Sequence, residues 1–325
     1  MLLEEMMKKS IRLCAMILTL AMLMCGCGSS GNKDEKEETN ATEVENNQEN
    51  TEDVVEYPYD YASPEFFDIK DCWKYAPTAE VSGVTEKGEP FKLDAVGKHK
   101  TMQGGCTDGT YAYFLLEQKN IVDPETGNNV SYYMLFKVDM ATWTVVAQSE
   151  SLPLDHGNGM TYNPKTNQIL VAHCQNRTQE FSYVDPDTLT ITGRKSLGRN
   201  FYSITYNETH DKYVIGIKGT NNFVIYDGAF NKLGEYEGVD PGSAYQTIGY
   251  QNIHCDEDYI YILYTGDTQA IMCYDWDGNF CGVYRIDAYQ EDEALFHVGD
   301  QFYITFYTGS GGRVYKLDFD KDLLF

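Results

Sequence analysis

From residue 101 onward, apolar and polar positions alternate over short stretches that are separated by polar turns. The alternation is clearest in Tyr259–Ile262 and in Phe302–Thr305. Successive residues of a strand point to opposite faces of a sheet, so a period of two predicts β-strands. No long segment of this region has the 3.6-residue period of an amphipathic helix. The pattern therefore predicts an all-β domain over residues 101–325.

One motif recurs five times in this domain: a strand that ends in an apolar residue and Asp, then a polar turn, then another strand. Its Asp residues are Asp139, Asp185, Asp227, Asp275 and Asp318, which lie 46, 42, 48 and 43 residues apart. A short strand, a turn and an aromatic-rich strand precede each Asp. Four short strands in a period of this length are typical of one β-propeller blade. The repeat predicts five blades of four antiparallel strands.

The fifth period ends soon after Asp318, before a fourth strand is complete. We expect the lead-in segment, residues 57–100, to supply the missing strand, with Phe91–Val96 as the candidate. Closure of this kind joins the first and last blades and leaves few strand edges exposed. A sixth blade formed by residues 65–100 is the alternative, although this stretch lacks the full pattern.

The second period resembles a known repeat. It contains Tyr162-Asn-Pro-Lys-Thr-Asn-Gln-Ile-Leu-Val-Ala172 and then Tyr183-Val-Asp-Pro-Asp-Thr-Leu189, which is similar to the YVTN repeats of quinoprotein amine dehydrogenase-like propellers. The resemblance covers residues 161–198 well and the other periods in outline. It implies a propeller fold and no particular activity, because such propellers serve many functions.

The first 26 residues have the organisation of a signal peptide. A basic stretch at residues 8–12 precedes an apolar run at residues 13–24, which is too short to span a bilayer but typical of a signal-peptide core. Residues 23–28, Leu-Met-Cys-Gly-Cys-Gly, resemble the lipobox of bacterial lipoproteins. This resemblance implies cleavage after Gly26, lipidation of Cys27 with fatty acyl chains such as palmitate, and attachment to the extracytoplasmic face of the cell membrane. An ordinary N-terminal membrane anchor is the alternative.

Residues 27–56 begin with the lipobox cysteine and contain almost no apolar side chains. Asn, Glu, Asp, Thr, Ser and Lys dominate this segment. Such a composition buries too little apolar surface to offset the entropy lost on ordering. We expect a disordered acidic linker that holds the domain away from the membrane.

The charge of the chain narrows the classes of partner. It contains 50 acidic and 25 basic residues, for a formal net charge of −25. A surface of this sign repels the phosphate backbone, so no nucleic-acid partner is expected. The partners that remain are the membrane, through the N-terminal lipid, and a small-molecule, glycan or peptide ligand.

Alignment of the five periods brings one position together, just before each innermost strand. Its occupants are Gln103, Asn158, Tyr202, Gln251 and Glu293. In a propeller this position lines the mouth of the central channel, and His156, Ser203 and Asn252 lie beside it. Amides and carboxylates form several hydrogen bonds each, and Tyr202 adds an aromatic face. We interpret these eight residues as the candidate ligand site; a channel mouth that is polar only because it is wet is the alternative.

The ring is poor in the groups that catalytic propellers use. Glu293 is its one carboxylate, whereas calcium prefers more charged oxygens and propeller glycosidases place two carboxylates across the channel. The turn Asp275–Asn279 resembles the start of a calcium loop, but the twelfth position would be Ile286, and a hairpin turn also explains its Asp-Gly pair. The chain shows no nucleophile motif, phosphate-binding loop or histidine pair with metal-ligand spacing. We therefore expect no metal or cofactor and assign no catalytic residue.

Six cysteines follow Cys27, and six cysteines permit fifteen pairings. Cys273 and Cys281 flank one hairpin turn symmetrically, and they are the one pair for which we predict a disulfide. Buried free thiols, which pack as small apolar groups, are the alternative.

Together these patterns predict a lipid-anchored, surface-displayed binding module that takes a glycan, cell-wall fragment or peptide at its channel mouth. The first alternative is a glycosidase-like or lactonase-like hydrolase or lyase, in which Glu293 and His156 act as acid–base groups in the same pocket. The second alternative is a scaffold for envelope proteins, which would need a large apolar surface patch.

Overall fold

The computed structural model describes residues 76–124, 127–239, 249–266, 269–288 and 290–324. Cys27, the signal segment, the linker and residues 57–75 of the lead-in lie outside these ranges. Within the described ranges, no helix has the length and apolar character needed to cross a membrane. The helical element they contain is a short 3-10 turn at Lys321–Leu323.

The described residues form 21 β-strands, most of them in five antiparallel blades. The lead-in contains β1 (Thr78–Gly83) and β2 (Phe91–Leu93). Blade 1 contains β3 (Thr101–Thr107), β4 (Tyr111–Val122), β5 (Asn129–Asp139) and β6 (Thr144–Gln148). Blade 2 contains β7 (Gly157–Asn163), β8 (Gln168–His173), β9 (Glu180–Val184) and β10 (Ile191–Ser196). Blade 3 contains β11 (Phe201–Asn207), β12 (Lys212–Ile217), β13 (Phe223–Asp227) and β14 (Lys232–Tyr236). Blade 4 contains β15 (Gly249–Cys255), β16 (Tyr259–Thr265), β17 (Gln269–Asp275) and β18 (Phe280–Ile286). Blade 5 contains β19 (Asp292–Val298), β20 (Gln301–Tyr307) and β21 (Gly312–Asp318).

The lead-in completes blade 5. β1 pairs antiparallel with one end of β21, and β2 pairs antiparallel with its other end. β1 also runs parallel to β18 of blade 4 over two residues. The pairing of β2 falls inside the predicted closing segment Phe91–Val96, but β1 makes the longer contact. The prediction of an all-β propeller with five blades is confirmed, and residues 76–100 form no sixth blade.

The core is divided into five buried clusters, and each cluster lies between two neighbouring blades. Between blades 5 and 1, for example, the Phe114 ring lies 6.1 Å from the Phe91 ring and 5.8 Å from the Phe296 ring. Aromatic side chains bury large apolar areas on pleated surfaces, which explains their place in the packing between blades. Burial between blades, all the way around the ring, positions the innermost strands at the centre.

In blades 1 to 4 the repeated Asp serves the turn between the third and fourth strands. Asp275 Oδ1 accepts the main-chain N–H groups of Asp277 and Asn279. Asp185 and Asp227 cap their own turns in the same way. Side-chain capping of this kind holds a tight turn without any metal ion. The Asp275–Asn279 segment is therefore the hairpin turn between β17 and β18.

Cys273 and Cys281 are buried free thiols, which differs from the disulfide expected between them. A register shift in the β17–β18 pair places Cys273 opposite Gly282. The Cys281 thiol instead approaches the main-chain oxygen of Asn279 at 3.4 Å. Because of this β-bulge, Cys281 does not lie directly opposite Cys273, although the two cysteines flank the turn symmetrically in the sequence.

Candidate functional site

The five aligned positions lie at a β-bulge inside each innermost strand, not ahead of the strand as expected. The register shifts fall between Met102 and Gly105, Gly157 and Met160, Phe201 and Ser203, Tyr250 and Asn252, and Asp292 and Ala294. A bulge inserts one residue into a strand and changes the direction of its side chain. The same irregularity in all five blades therefore brings the five side chains to one level of the central channel.

At this level four of the five side chains are buried, and Gln251 is partly exposed. Gln103 and Asn158 are each 5% exposed, Tyr202 is 2% exposed and Glu293 is 1% exposed. Asn158 Nδ2 donates a hydrogen bond to the main-chain oxygen of Gln251 at 2.5 Å, which joins blades 2 and 4. Four of the five side chains that were expected to line the channel mouth are thus buried.

Two of the predicted site residues hold neighbouring blades together. The Tyr202 ring stacks on the Tyr250 ring of blade 4, with centroids 4.0 Å apart. Ser203 Oγ accepts the main-chain N–H of Ile253 at 3.1 Å and is fully buried. Tyr202 also packs closely against β12, since a Cβ added at Gly216 would lie 2.2 Å from Tyr202 Cζ.

The other ring residues keep some polar atoms without a partner. Gln103 Oε1, Asn252 Nδ2 and Glu293 Oε1 are buried and accept or donate no hydrogen bond. Burial raises the pKa of Glu293 well above its usual value, and the charges of Glu291 and other nearby acids act in the same direction. The protonated form of Glu293 is thus favoured by its surroundings, because burying a charged carboxylate is costly.

Beside the ring, an accessible pocket of about 330 Å³ lies between blades 1 and 2. Its walls are formed by the end of β4, the start of β5, the residue that precedes β7 and the two residues that follow β8. Its lining is mostly polar and consists of Glu117, Lys119, Asn120, Asn129, Val130, Ser131, His156, Cys174 and Gln175. Of the eight predicted site residues, His156 lines this pocket.

The strongest interaction in the pocket joins Glu117 and His156. Glu117 Oε1 lies 3.1 Å from His156 Nδ1, and Glu117 Oε2 lies 3.3 Å from Lys119 Nζ. The Glu117 side chain is 1% exposed, whereas that of His156 is 29% exposed. Nδ1 bears the proton in this contact, since a carboxylate accepts, and Nε2 is then left as an acceptor.

The pKa of Glu117 lies below its usual value despite its burial. Burial by itself raises this pKa, but hydrogen bonds with His156 and Ser131 and the nearby positive charges of His156 and Lys119 outweigh it. Glu117 is therefore a charged carboxylate at neutral pH. The surroundings of Glu117 and Glu293 thus shift the two pKa values in opposite directions.

Sequence reasoning misses Glu117, the acid that His156 contacts. Glu117 belongs to a second strand, whereas the period alignment compares innermost strands only. The available signal is that Glu117 directly follows the apolar run Tyr111–Leu116, where burial is expected and a carboxylate needs a partner. The structure gives His156 that role, instead of the expected pairing with Glu293.

Metal ligands are not clustered at this site. Among the residues that the structure describes, no group of three or more His, Cys, Asp or Glu side chains is arranged to hold a metal ion. The chemistry that the pocket can perform with its own groups is hydrogen bonding, charge pairing and proton transfer.

Comparisons with known proteins support the fold. No protein-family model and no curated protein matches the sequence. The solved structure of a glutaminyl cyclase from Myxococcus xanthus matches with a TM-score of 0.50 and 13% identity, over 75% of this chain and 97% of that one. At this identity the likeness shows a shared propeller fold alone, and the resemblance to YVTN repeats also stands at the level of fold.

Two further solved structures are less similar. The nidogen–laminin complex matches with a TM-score of 0.40 and 11% identity, over 64% of this chain and 73% of that one. Hydrazine synthase from Kuenenia stuttgartiensis matches with a TM-score of 0.37 and 13% identity, over 66% of this chain and 57% of that one.

Proposed function

We propose that this chain is a lipid-anchored, extracytoplasmic β-propeller that binds a small polar ligand, such as a glycan, a cell-wall fragment or a short peptide. The binding site of the proposal is the pocket between blades 1 and 2, beside the buried ring residues. One observation carries it: the buried, charged carboxylate of Glu117 lies at a solvent-accessible polar pocket. Burying a charge is costly, and functional sites are where such groups concentrate.

The size and lining of the pocket favour a small ligand with several polar groups. About 330 Å³ is near the lower end of the range for ligand pockets. Asn129 and Gln175 offer amides, Ser131 offers a hydroxyl, and the Lys119 side chain is 56% exposed at the rim. Such a mixture of donors and acceptors matches a sugar ring or one or two peptide units.

The charge of Glu117 selects further among such ligands. Its Oε2 has Lys119 Nζ as an ion-pair partner and no hydrogen-bond partner. A primary ammonium on the ligand can replace the flexible, exposed lysine and donate the missing hydrogen bond. Ligands with a free amino group, such as an amino sugar or a peptide N-terminus, are therefore the preferred class.

The membrane part of the proposal is supported by the sequence alone. Residues 23–28 resemble a lipobox, and an acidic linker separates Cys27 from the domain. Cells that express the chain with a chemically tagged fatty acid should label it, and Cys27→Ala should abolish the label. Label that persists in Cys27→Ala would refute attachment at this residue.

The scaffold alternative receives less support. Large hydrophobic side chains that are exposed in the described part of the chain are Val122, Val145, Val146, Leu233 and Leu323. They belong to β4, β6, β14 and the C-terminal turn, so they are spread over separate elements. A docking surface for proteins usually needs a contiguous apolar patch.

The binding proposal is tested by a screen of glycans, cell-wall fragments and short peptides against the purified full chain. Each amine-bearing ligand is paired with its N-acetylated form. Ligands that bind should lose affinity on acetylation and in the Glu117→Gln variant, and Lys92→Ala, an exposed lysine on β2 of blade 5, should leave binding unchanged. Thermal unfolding of each variant checks that it folds. A ligand whose affinity is unaltered in Glu117→Gln and in Lys119→Ala would place its site elsewhere and overturn the proposal.

A further inference from the structure

Two unusual backbone conformations adjoin the 330 Å³ pocket. Among the residues that the structure describes, seven residues other than glycine have a positive φ. Five of them lie in turns between consecutive strands of one blade: Trp143, Asn167, Leu189, Asp211 and Phe230. The other two are Asn120 (φ 62°), which lines the pocket, and Asp155 (φ 57°), which directly precedes the lining residue His156. A positive φ is uncommon for a residue with a side chain, and such strain is often retained at functional sites.

The carboxylate of Asp155 holds the segment that follows β8. Its Oδ2 accepts the main-chain N–H groups of Asn176 at 2.6 Å and of Arg177 at 2.8 Å, and its Oδ1 accepts Asn176 Nδ2 at 3.1 Å. Asp155 is only 3% exposed. Cys174 and Gln175, which directly precede these two donors, form one wall of the pocket. Asp155 is not itself a lining residue, but hydrogen bonds to its carboxylate fix the backbone next to this wall.

The same hydrogen bonds connect the two sides of the pocket. Asn176 Nδ2 also donates to the main-chain oxygen of Asn129 at 3.1 Å, and Asn129 lines the pocket at the start of β5 on blade 1. On blade 2, the Cys174 main-chain N–H donates to the His156 main-chain oxygen at 2.7 Å. The position of both walls relative to His156 therefore depends on the Asp155 carboxylate.

We propose that Asp155 is a positioning residue that sets the shape of this pocket and thereby its affinity for the ligand. The inference rests on the proposed function, because it concerns ligand binding at the same site. A wall that is fixed before binding loses little conformational entropy when the ligand enters. Glu117 and Lys119 contact the ligand directly in the proposed function, whereas Asp155 acts on it only through the wall.

A second Asp of blade 2 provides a matched control. Asp185 Oδ1 accepts the main-chain N–H groups of Asp187 at 3.0 Å and of Thr188 at 2.7 Å, much as Asp155 Oδ2 accepts two successive N–H groups. These residues belong to the turn between β9 and β10, and none of them lines the pocket. Asp185→Gly should therefore remove comparable hydrogen bonds from the same blade without changing the pocket.

The first test uses Cys174 as a reporter of the wall. Cys174 is partly exposed and lines the pocket, whereas the other cysteines that the structure describes are buried. Asp155→Gly removes the carboxylate and tolerates the positive φ, so iodoacetamide should modify Cys174 about tenfold faster than in the wild type as the wall opens. Asp155→Asn keeps one acceptor oxygen and should restore most of the wild-type rate. Equal rates in the wild type and Asp155→Gly would overturn the inference.

The control variant separates a local effect from a general loosening of blade 2. In Asp185→Gly, Cys174 should be modified at the wild-type rate, although the thermal stability should fall because a turn loses its cap. Hydrogen exchange should become faster at residues 174–178 in Asp155→Gly and at residues 185–191 in Asp185→Gly. Faster modification of Cys174 in both variants would show that Asp155 has no special relation to the pocket and would overturn the inference.

The link to binding is tested with D-glucosamine, an amine-bearing sugar. It should protect Cys174 of the wild type from iodoacetamide, and the concentration for half protection should rise about tenfold in Asp155→Gly. Half protection at the same concentration in both proteins would overturn the inference alone. If neither D-glucosamine nor any ligand from the screen protects Cys174 of the wild type, the proposed binding function is refuted, whatever the effect of Asp155→Gly on the rate without ligand.

Discussion

Asn158 of blade 2 donates its side-chain N–H to the main-chain oxygen of Gln251 of blade 4, at 2.5 Å, although these blades are not neighbours. The bond crosses the central channel at the level of the bulges. Loss of this hydrogen bond would leave the Gln251 carbonyl oxygen without its donor, which should lower the free energy of unfolding.

Asn158→Ala should lower the free energy of unfolding by about 1–3 kcal/mol, because the Gln251 carbonyl loses its donor. Gln251→Ala is the matched control. It keeps the main-chain oxygen and removes only a side chain that bonds the exposed Glu291, so a loss within about 0.5 kcal/mol is expected. Urea unfolding of both variants measures the difference. Equal losses would show that the cross-channel bond contributes nothing.

Glu293→Gln should make stability less dependent on pH. Because the folded-state pKa of Glu293 is raised above its usual 4.5, its contribution to stability is fully present below the unfolded-state pKa and is lost as pH rises through the folded-state pKa. The wild type should therefore lose stability above about pH 4.5 relative to Glu293→Gln. Denaturant unfolding across a pH series checks this, with Glu86→Gln, an exposed residue of the lead-in, as control. Parallel curves for the wild type and Glu293→Gln would show that Glu293 ionises normally in the fold.

Tyr202 and Gly216 should be coupled energetically, since a Cβ at Gly216 would lie 2.2 Å from Tyr202 Cζ. Gly216→Ala should cost about 1–3 kcal/mol by overpacking, and Tyr202→Ala about 3–5 kcal/mol by creating a cavity. The double variant should cost less than the sum, because removing the ring makes room for the new methyl group. Additive losses in urea unfolding would contradict this close packing.

His254 and His297 should make the domain sensitive to mild acid. His254 Nε2 lies 2.7 Å from His297 Nδ1, and burial lowers both pKa values below the usual 6.5. The unfolded chain thus binds protons that the folded chain does not, and stability is lost as pH falls below about 6.5. His297→Gln should reduce this loss between pH 7.5 and 5, as measured by thermal unfolding. His210→Gln serves as the control, and a loss in His297→Gln equal to that of the wild type would assign the acid sensitivity to other groups.

The sequence by itself determined the fold class, the number of blades and the equivalence of the five ring positions. These features depend on local signals that repeat: alternation within a strand, and an Asp such as Asp275 that caps its own turn through main-chain N–H groups two and four residues ahead. A local interaction is encoded where it occurs, so five copies of it can be counted along the chain.

Tertiary structure alone decided which ring side chains are buried, which acid meets His156 and how blade 5 is completed. Glu117 and His156 lie on different blades, and their contact depends on the length of β4 and on how blades 1 and 2 pack. Likewise, the bulges direct Asn158 across the channel, and the register shift in β18 separates Cys273 from direct opposition to Cys281. Periodicity specifies which residues share a face of one strand, but the distance between faces of different blades follows only from the packing of the whole ring.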